Sequence, residues 1–189
     1  TAELRNLLGE IPLLFTFRTA KEGGEKEISS KKYEQLLLSV IQAQQIDLVD
    51  IEFFSHKAVV SLLLEKAKQN HVKTILSSHD FQKTPSEEEM IKRFCAMQRL
   101  QCDITKIAVM PKNKRDVLTL LCAMEKMQSV YADRPFIAMS MTAIGSISRI
   151  AGEAFGSAVT FGAAKKASAP GQIEAKKLKQ ALEIIHQSL

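Results

Sequence analysis

A lysine stands in the middle of an apolar run, Asp103-Ile-Thr-Lys-Ile-Ala-Val-Met110. Strands buried on both faces of a parallel sheet read as near-continuous apolar runs, so Lys106 needs a reason to be there. Desolvation disfavours its ammonium form, and a neutral amine attacks carbonyl carbons to form an imine. The alternative is a lysine neutralised by a buried carboxylate. Asp50 and Glu52 qualify for that, because they share one face of their own run; the residues alone leave both readings open. The preceding apolar run ends Ser77-Ser-His-Asp-Phe81, which puts His79 at a strand's carboxyl end as a candidate proton carrier. His56, His71 and His186 fall in helix starts, loops or the C-terminal helix and are expected to be solvated. Phe17-Arg18-Thr-Ala-Lys-Glu22-Gly-Gly24 adds a guanidinium and a carboxylate on a flexible loop. By default such a pair is a surface ion pair of little energetic weight.

These groups are useful only if regular elements hold them, and the chain alternates in a way that does so. Short β-type runs occupy Pro12–Phe17, Leu48–Phe53, Lys73–Ser77, Asp103–Met110, Pro135–Met141 and Ser157–Phe161. Helical spacing of apolar residues separates most of them: Leu36, Leu37, Val40 and Ile41 within 30–44, and Val59, Leu62 and Leu63 within 58–69. Ser86 followed by three glutamates reads as the capped start of a helix reaching Leu100. Helices over 113–129 and 172–187 complete the set. Strand, helix, strand in repetition means parallel strands joined by right-handed crossovers. The strands recur about every 30 residues, the unit of a (β/α)₈ barrel, and six units are present. An open doubly wound sheet is the other solution, but it usually carries G-x-G-x-x-G after its first strand, and that motif is absent.

Composition narrows the function classes. The 189 residues are 46% hydrophobic and 25% charged, ordinary values for a globular chain with a substantial core, and no uncharged apolar run is long enough to span a bilayer. A net charge of +5, no tryptophan and a lysine cluster (Lys165, Lys166, Lys176, Lys177, Lys179) with only Phe161 nearby as an aromatic argue against nucleic acid as partner. They are compatible with a small anionic substrate. Cys95, Cys102 and Cys122 lack metal-ligand spacing and are expected to be buried, reduced thiols of a cytoplasmic protein.

The runs FTFRTAKEGGE, SSHDF with TP soon after, DITKIAVMP, AMSMTAIGSISRIAGEAFGSAVTFG and KKASAPGQI, in this order and spacing, closely resemble type I 3-dehydroquinate dehydratase of the shikimate pathway. The resemblance covers essentially the whole chain. It implies a (β/α)₈ barrel, usually a homodimer, that dehydrates 3-dehydroquinate to 3-dehydroshikimate through a lysine imine without metal or organic cofactor. Carried over residue by residue, it makes Lys106 the Schiff-base former, His79 the general acid/base and Glu22 the partner of that histidine. It makes Arg18 a pocket residue, Arg149 the ligand of the substrate carboxylate, and Ser168 and Gln172 the residues of a closing lid.

The family has two further strands ahead of FTFR, the second ending in a substrate-binding E-x-R motif. Residues 1–189 are therefore expected to form a single barrel domain that is N-terminally incomplete relative to the family. Two other readings stay open: a different Schiff-base barrel enzyme, such as a class I aldolase, and a non-catalytic barrel fragment.

Overall fold

The computed structural model describes residues 2–189. A helix, α1 (Ala2–Leu8), precedes β1 (Leu14–Thr16). Then come α2 (Ser30–Gln42), β2 (Leu48–Glu52), α3 (Lys57–Gln69), β3 (Lys73–Asp80), α4 (Glu87–Arg99), β4 (Ile104–Val109), α5 (Lys114–Lys126) and β5 (Phe136–Ser140). The short α6 (Ile147–Ile150) and the C-terminal α7 (Ala175–His186) finish the chain. The strands hydrogen-bond in the order β1-β2-β3-β4-β5. Leu14 pairs with Leu48, and Leu48 in turn with Lys73, both in parallel. Strand order that follows chain order, with a helix between neighbours, is what repeated right-handed crossovers generate.

Local chemistry explains the boundaries. The Ser29 hydroxyl accepts from Lys32 N, the Ser86 hydroxyl from Glu89 N and the Asn113 side chain from Asp116 N, each satisfying a donor that the first helical turn leaves orphaned. At the other ends, Gln44, His71 and Gln101 turn the chain with positive φ just after α2, α3 and α4. None of the three is the glycine that usually marks such a turn.

The chain forms two compact units. The first comprises residues 1–78 and 97–105, the second 79–96 and 106–189. In the first, Leu37 and Ile41 of α2, Val49 and Ile51 of β2 and Leu63 of α3 are fully buried. In the second, Met90 and Phe94 of α4, Ile107 and Val109 of β4, and Leu120 and Met124 of α5 are buried likewise. Phe94 meets Phe136 edge-on at 5.5 Å. Phe94→Ala removes that contact and opens a cavity, so a loss of about 3–5 kcal/mol is expected from urea unfolding. A loss below about 1 kcal/mol would show that Phe94 does not anchor this core.

Two expectations are corrected. Ser157–Phe161 is not a regular strand: Ser157 makes one parallel bridge to Phe136, and Ala158 N donates to Phe136 O. The pairing stops there because serine hydroxyls take the next donors along β5, Ser157 Oγ accepting from Ala138 N and Ser148 Oγ from Ser140 N. Those two β5 donors are then not free to extend a sixth ladder. Only Cys102 of the three free cysteines is buried; Cys95 is half-buried and Cys122 exposed, on the outer face of α5. His56, His71 and His186 are exposed, as their positions suggest.

Candidate active site

Arg18 and Glu22 follow β1 in the first unit. The chain turns sharply there because Thr19 O accepts from both Glu22 N and Gly24 N, at 3.0 and 2.8 Å. A Cβ on Gly24 would lie 1.9 Å from Arg18 O, so only glycine closes this turn. The turn folds Glu22 inward. Arg18 Nη1 reaches Glu22 Oε2 at 3.3 Å, Glu52 Oε1 at 3.1 Å and Ser77 Oγ at 3.1 Å, while Nη2 reaches Asp50 Oδ1 at 2.8 Å.

The expected surface ion pair is therefore a buried cluster, and the difference is energetic. Burial by itself would pull the Arg18 pKa down; Asp50, Glu22 and Glu52 outweigh it, and the pKa is raised from the ordinary arginine value. Asp50 and Glu52 lie on one face of β2, as alternation requires, and both hold Arg18. Glu52 also accepts from Thr19 N and Thr19 Oγ1, which ties the start of the turn to β2.

The other candidates lie in the second unit. Lys106 is in the middle of β4 and only 6% exposed. Its Nζ sits 4.6 Å from the centre of the Phe161 ring, a contact that favours a cation over an aromatic face. His79 is the penultimate residue of β3 and half-buried.

Arg149 belongs to α6 and is 1% exposed. Its Nη1 lies 3.4 Å from both Met139 Sδ and Phe161 O, and Nη2 lies 3.3 Å from Pro170 O. None of these partners is a carboxylate, and Nε has no partner at all among the described residues. Burial without a counter-ion pulls its pKa below the ordinary arginine value. Such a guanidinium offers charge and free donors to an anion. A cavity of about 430 Å³ opens beside it, lined also by Glu153, Ser157, Thr160 and Leu182, and the Thr160 hydroxyl is likewise buried without a partner.

Ser168 and Gln172 bond to each other: Ser168 N donates to Gln172 Oε1 at 2.7 Å and Gln172 Nε2 to Ser168 Oγ at 3.0 Å. Their loop is closed at its base by Ala163 N donating to Ile173 O. Pro170 O accepts from Thr142 N as well as from Arg149. Gly171, at φ +76°, has the Thr142 carbonyl where a Cβ would stand, so glycine is what lets the loop lie this close.

Arg18 and Glu22 are thus brought together with Asp50 and Glu52 in one unit, while Lys106 and Arg149 share Phe161 in the other. The sequence offers Phe161 only as the end of an apolar run, directly before Gly162, and as the one aromatic near the lysine cluster, neither of which marks a site residue.

The family model of type I 3-dehydroquinase matches residues 1–189. A 3-dehydroquinate dehydratase of Clostridium novyi is 54% identical over 187 residues, which are 99% of this chain and 74% of that protein. One of Salmonella agona is 51% identical over 185 residues, 98% of this chain and 73% of the relative. A crystal structure of type I 3-dehydroquinate dehydratase from Clostridium difficile, with covalently modified comenic acid, superposes with a TM-score of 0.96 at 50% identity, covering 100% of this chain and 74% of that one. A more distant structure, 3-dehydroquinate dehydratase from Aquifex aeolicus, still gives 0.81 at 29% identity, over 98% of this chain and 82% of the other. The strands and crossovers described above are those of a (β/α)₈ barrel, and the chain belongs to the type I 3-dehydroquinase family.

Proposed function

We propose that this protein is a hydro-lyase of the shikimate pathway that dehydrates 3-dehydroquinate to 3-dehydroshikimate through an imine on Lys106. The observation that carries the reading is a buried lysine in the same unit as a buried arginine whose partners include no carboxylate. An amine for the ketone and a cation for the carboxylate are the two groups a keto acid needs. Family membership supplies the substrate class.

The Lys106 amine adds to the ring ketone and expels its oxygen as water, leaving a protonated imine. That imine acidifies the neighbouring carbon, and His79 as base removes a proton there to give an enamine. The enamine electrons reform the imine as the ring hydroxyl leaves, protonated by the same imidazolium, so syn elimination is natural. Hydrolysis of the product imine takes up one water and restores the amine, so the net change is loss of one water. Glu22 is assigned the carboxylate that orients the imidazole and stabilises its charged form. Arg18 is assigned to the pocket wall, and Ser168 and Gln172 to the lid. The chemistry needs no metal or organic cofactor. A class I aldolase would use a lysine and a histidine equally well, but Arg149 with no carboxylate partner favours a carboxylated substrate.

The protein is read as a cytoplasmic homodimer. The three free thiols suit a reducing compartment, and among the described residues no helix is long and apolar enough to cross a membrane. Leu118 on α5 and Ile144 and Ile147 at α6 expose apolar surface of the kind a second copy covers.

Arg149→Ala should act chiefly on binding. If the guanidinium meets the substrate carboxylate in a desolvated pair, its loss costs about 2–5 kcal/mol, or at least about 30-fold in product Kd measured by calorimetry. Arg149→Lys, which keeps the charge and loses the fork, should fall between. An unchanged Kd for Arg149→Ala would remove the carboxylate assignment.

A further inference from the structure

We propose that Asp80 and Thr84 are positioning residues, which hold the His79 end of β3 against the end of the strand that bears Lys106. The proposal rests on the reading of His79 and Lys106 as proton carrier and imine former. It begins where regular pairing stops. β3 ends at Asp80 and β4 at Val109, so the loops beyond them lack the ladder that fixes the strands themselves.

Asp80 organises the first of these loops. Its Oδ1 accepts from Gln82 N and Lys83 N, both at 3.0 Å, an Asx turn that folds residues 80–83 back on themselves. The turn aims Lys83 O at Met110 N, which donates to it at 3.3 Å. Thr84 Oγ1 then donates to Met110 O at 3.1 Å. Both backbone groups of the first residue after β4 are thus engaged by the loop that follows His79. On its other side Asp80 Oδ2 stands 4.0 Å from Arg93 Nη1 of α4, beyond hydrogen-bond range, so the Asx turn rather than this ion pair holds the loop. Successive side chains of a strand point to opposite faces. Asp80 therefore faces the helical layer when His79 faces away from it, and it acts through the loop rather than on a reacting atom.

The consequence is geometric. His79 must serve a carbon and an oxygen of an intermediate tethered to Lys106, and a misplacement of about 1 Å at a reacting pair can cost on the order of 10²-fold. Imine formation depends on Lys106 and is less sensitive to where His79 stands. Loosening the clamp should therefore lower kcat and leave KM and imine trapping nearly intact.

The test uses Thr84→Val, Thr84→Ser, Asp80→Ala and Asp80→Asn in the whole chain, with 3-dehydroquinate as substrate. Thr84→Val keeps the shape and removes the hydroxyl donor; Asp80→Asn keeps the acceptor for Gln82 N and Lys83 N and removes the charge. A clamp predicts kcat reduced about 5- to 50-fold in Thr84→Val and Asp80→Ala, KM within about twofold, borohydride-trapped adduct formed as in the parent, and recovery in Thr84→Ser and Asp80→Asn. An unchanged kcat, a loss confined to KM, or a Thr84→Ser variant as slow as Thr84→Val would overturn it. Asp80→Asn as slow as Asp80→Ala would also overturn it, because the role would then be one of charge. Amide exchange at Met110 N, measured without substrate, separates this proposal from the function it rests on. Faster exchange in Thr84→Val and normal exchange in Thr84→Ser support the clamp even if the parent fails to turn over 3-dehydroquinate, and equal exchange in all three rejects it.

Discussion

Lys106→Ala should yield no borohydride-fixed adduct with 3-dehydroquinate, while the parent chain yields one adduct whose mass maps to Lys106. The expected loss in kcat is on the order of 10⁴–10⁶-fold, the range in which removing a nucleophile leaves only binding and the remaining groups to act. The physical case is that 6% exposure on a buried strand is costly for an ammonium group, and an imine-forming role gives that cost a chemical reason. The Phe161 ring at 4.6 Å gives the charged form a partial compensation, which suits a residue that must become cationic as its imine forms. A purely structural Lys106 makes the opposite prediction: lost stability, and an adduct that persists or appears on another lysine. An adduct mapped elsewhere would end the imine assignment.

His79→Ala should separate the two halves of the reaction. General acid/base catalysis is typically worth about 10²–10⁴ in rate, so turnover should fall by that much while product still forms a trappable imine on Lys106. Its place next to the last residue of β3 matters, because catalytic groups of such folds stand at the carboxyl ends of strands, where loops converge and the ladder no longer consumes the backbone. Were His79 only a strand-end residue, the variant would melt lower and turn over normally per folded molecule. Melting temperature and single-turnover rate on one preparation decide this, and an unimpaired rate would remove the proton shuttle.

Much of this was legible in the sequence, for identifiable reasons. Burial on both faces gives parallel strands a nearly continuous apolar code, so β2, β4 and β5 can be located within one residue, β3 falls short only at its polar end, Ser78 to Asp80, and Lys106 stands out as an interruption. Ser86 and the glutamates after it announce α4, because a side-chain cap is a local interaction between residues three apart. The family itself is carried by runs such as FTFRTAKEGGE and SAPGQ. Two of their glycines, Gly24 and Gly171, sit where backbone carbonyls leave no room for a Cβ.

Tertiary structure alone decided the rest. Arg18 and Glu22 four residues apart read as an exposed pair. Only folding puts Asp50, Glu52 and Ser77 around the same guanidinium, and those partners lie 32, 34 and 59 residues away. Ser157–Phe161 has the composition of a strand, but the Ser148 and Ser157 hydroxyls compete for the β5 donors it would need, and no window of local sequence records that competition. Arg149 could be named from its motif. That it is buried among a thioether and two carbonyl oxygens, with Nε unmet, depends on α6, the Pro170 loop and Phe161 converging on it. Side-chain periodicity and capping act over a few residues and are written in the chain. The electrostatic environment of a buried charge is set by whatever long-range packing brings within a few ångströms, and that exists only once the chain has folded.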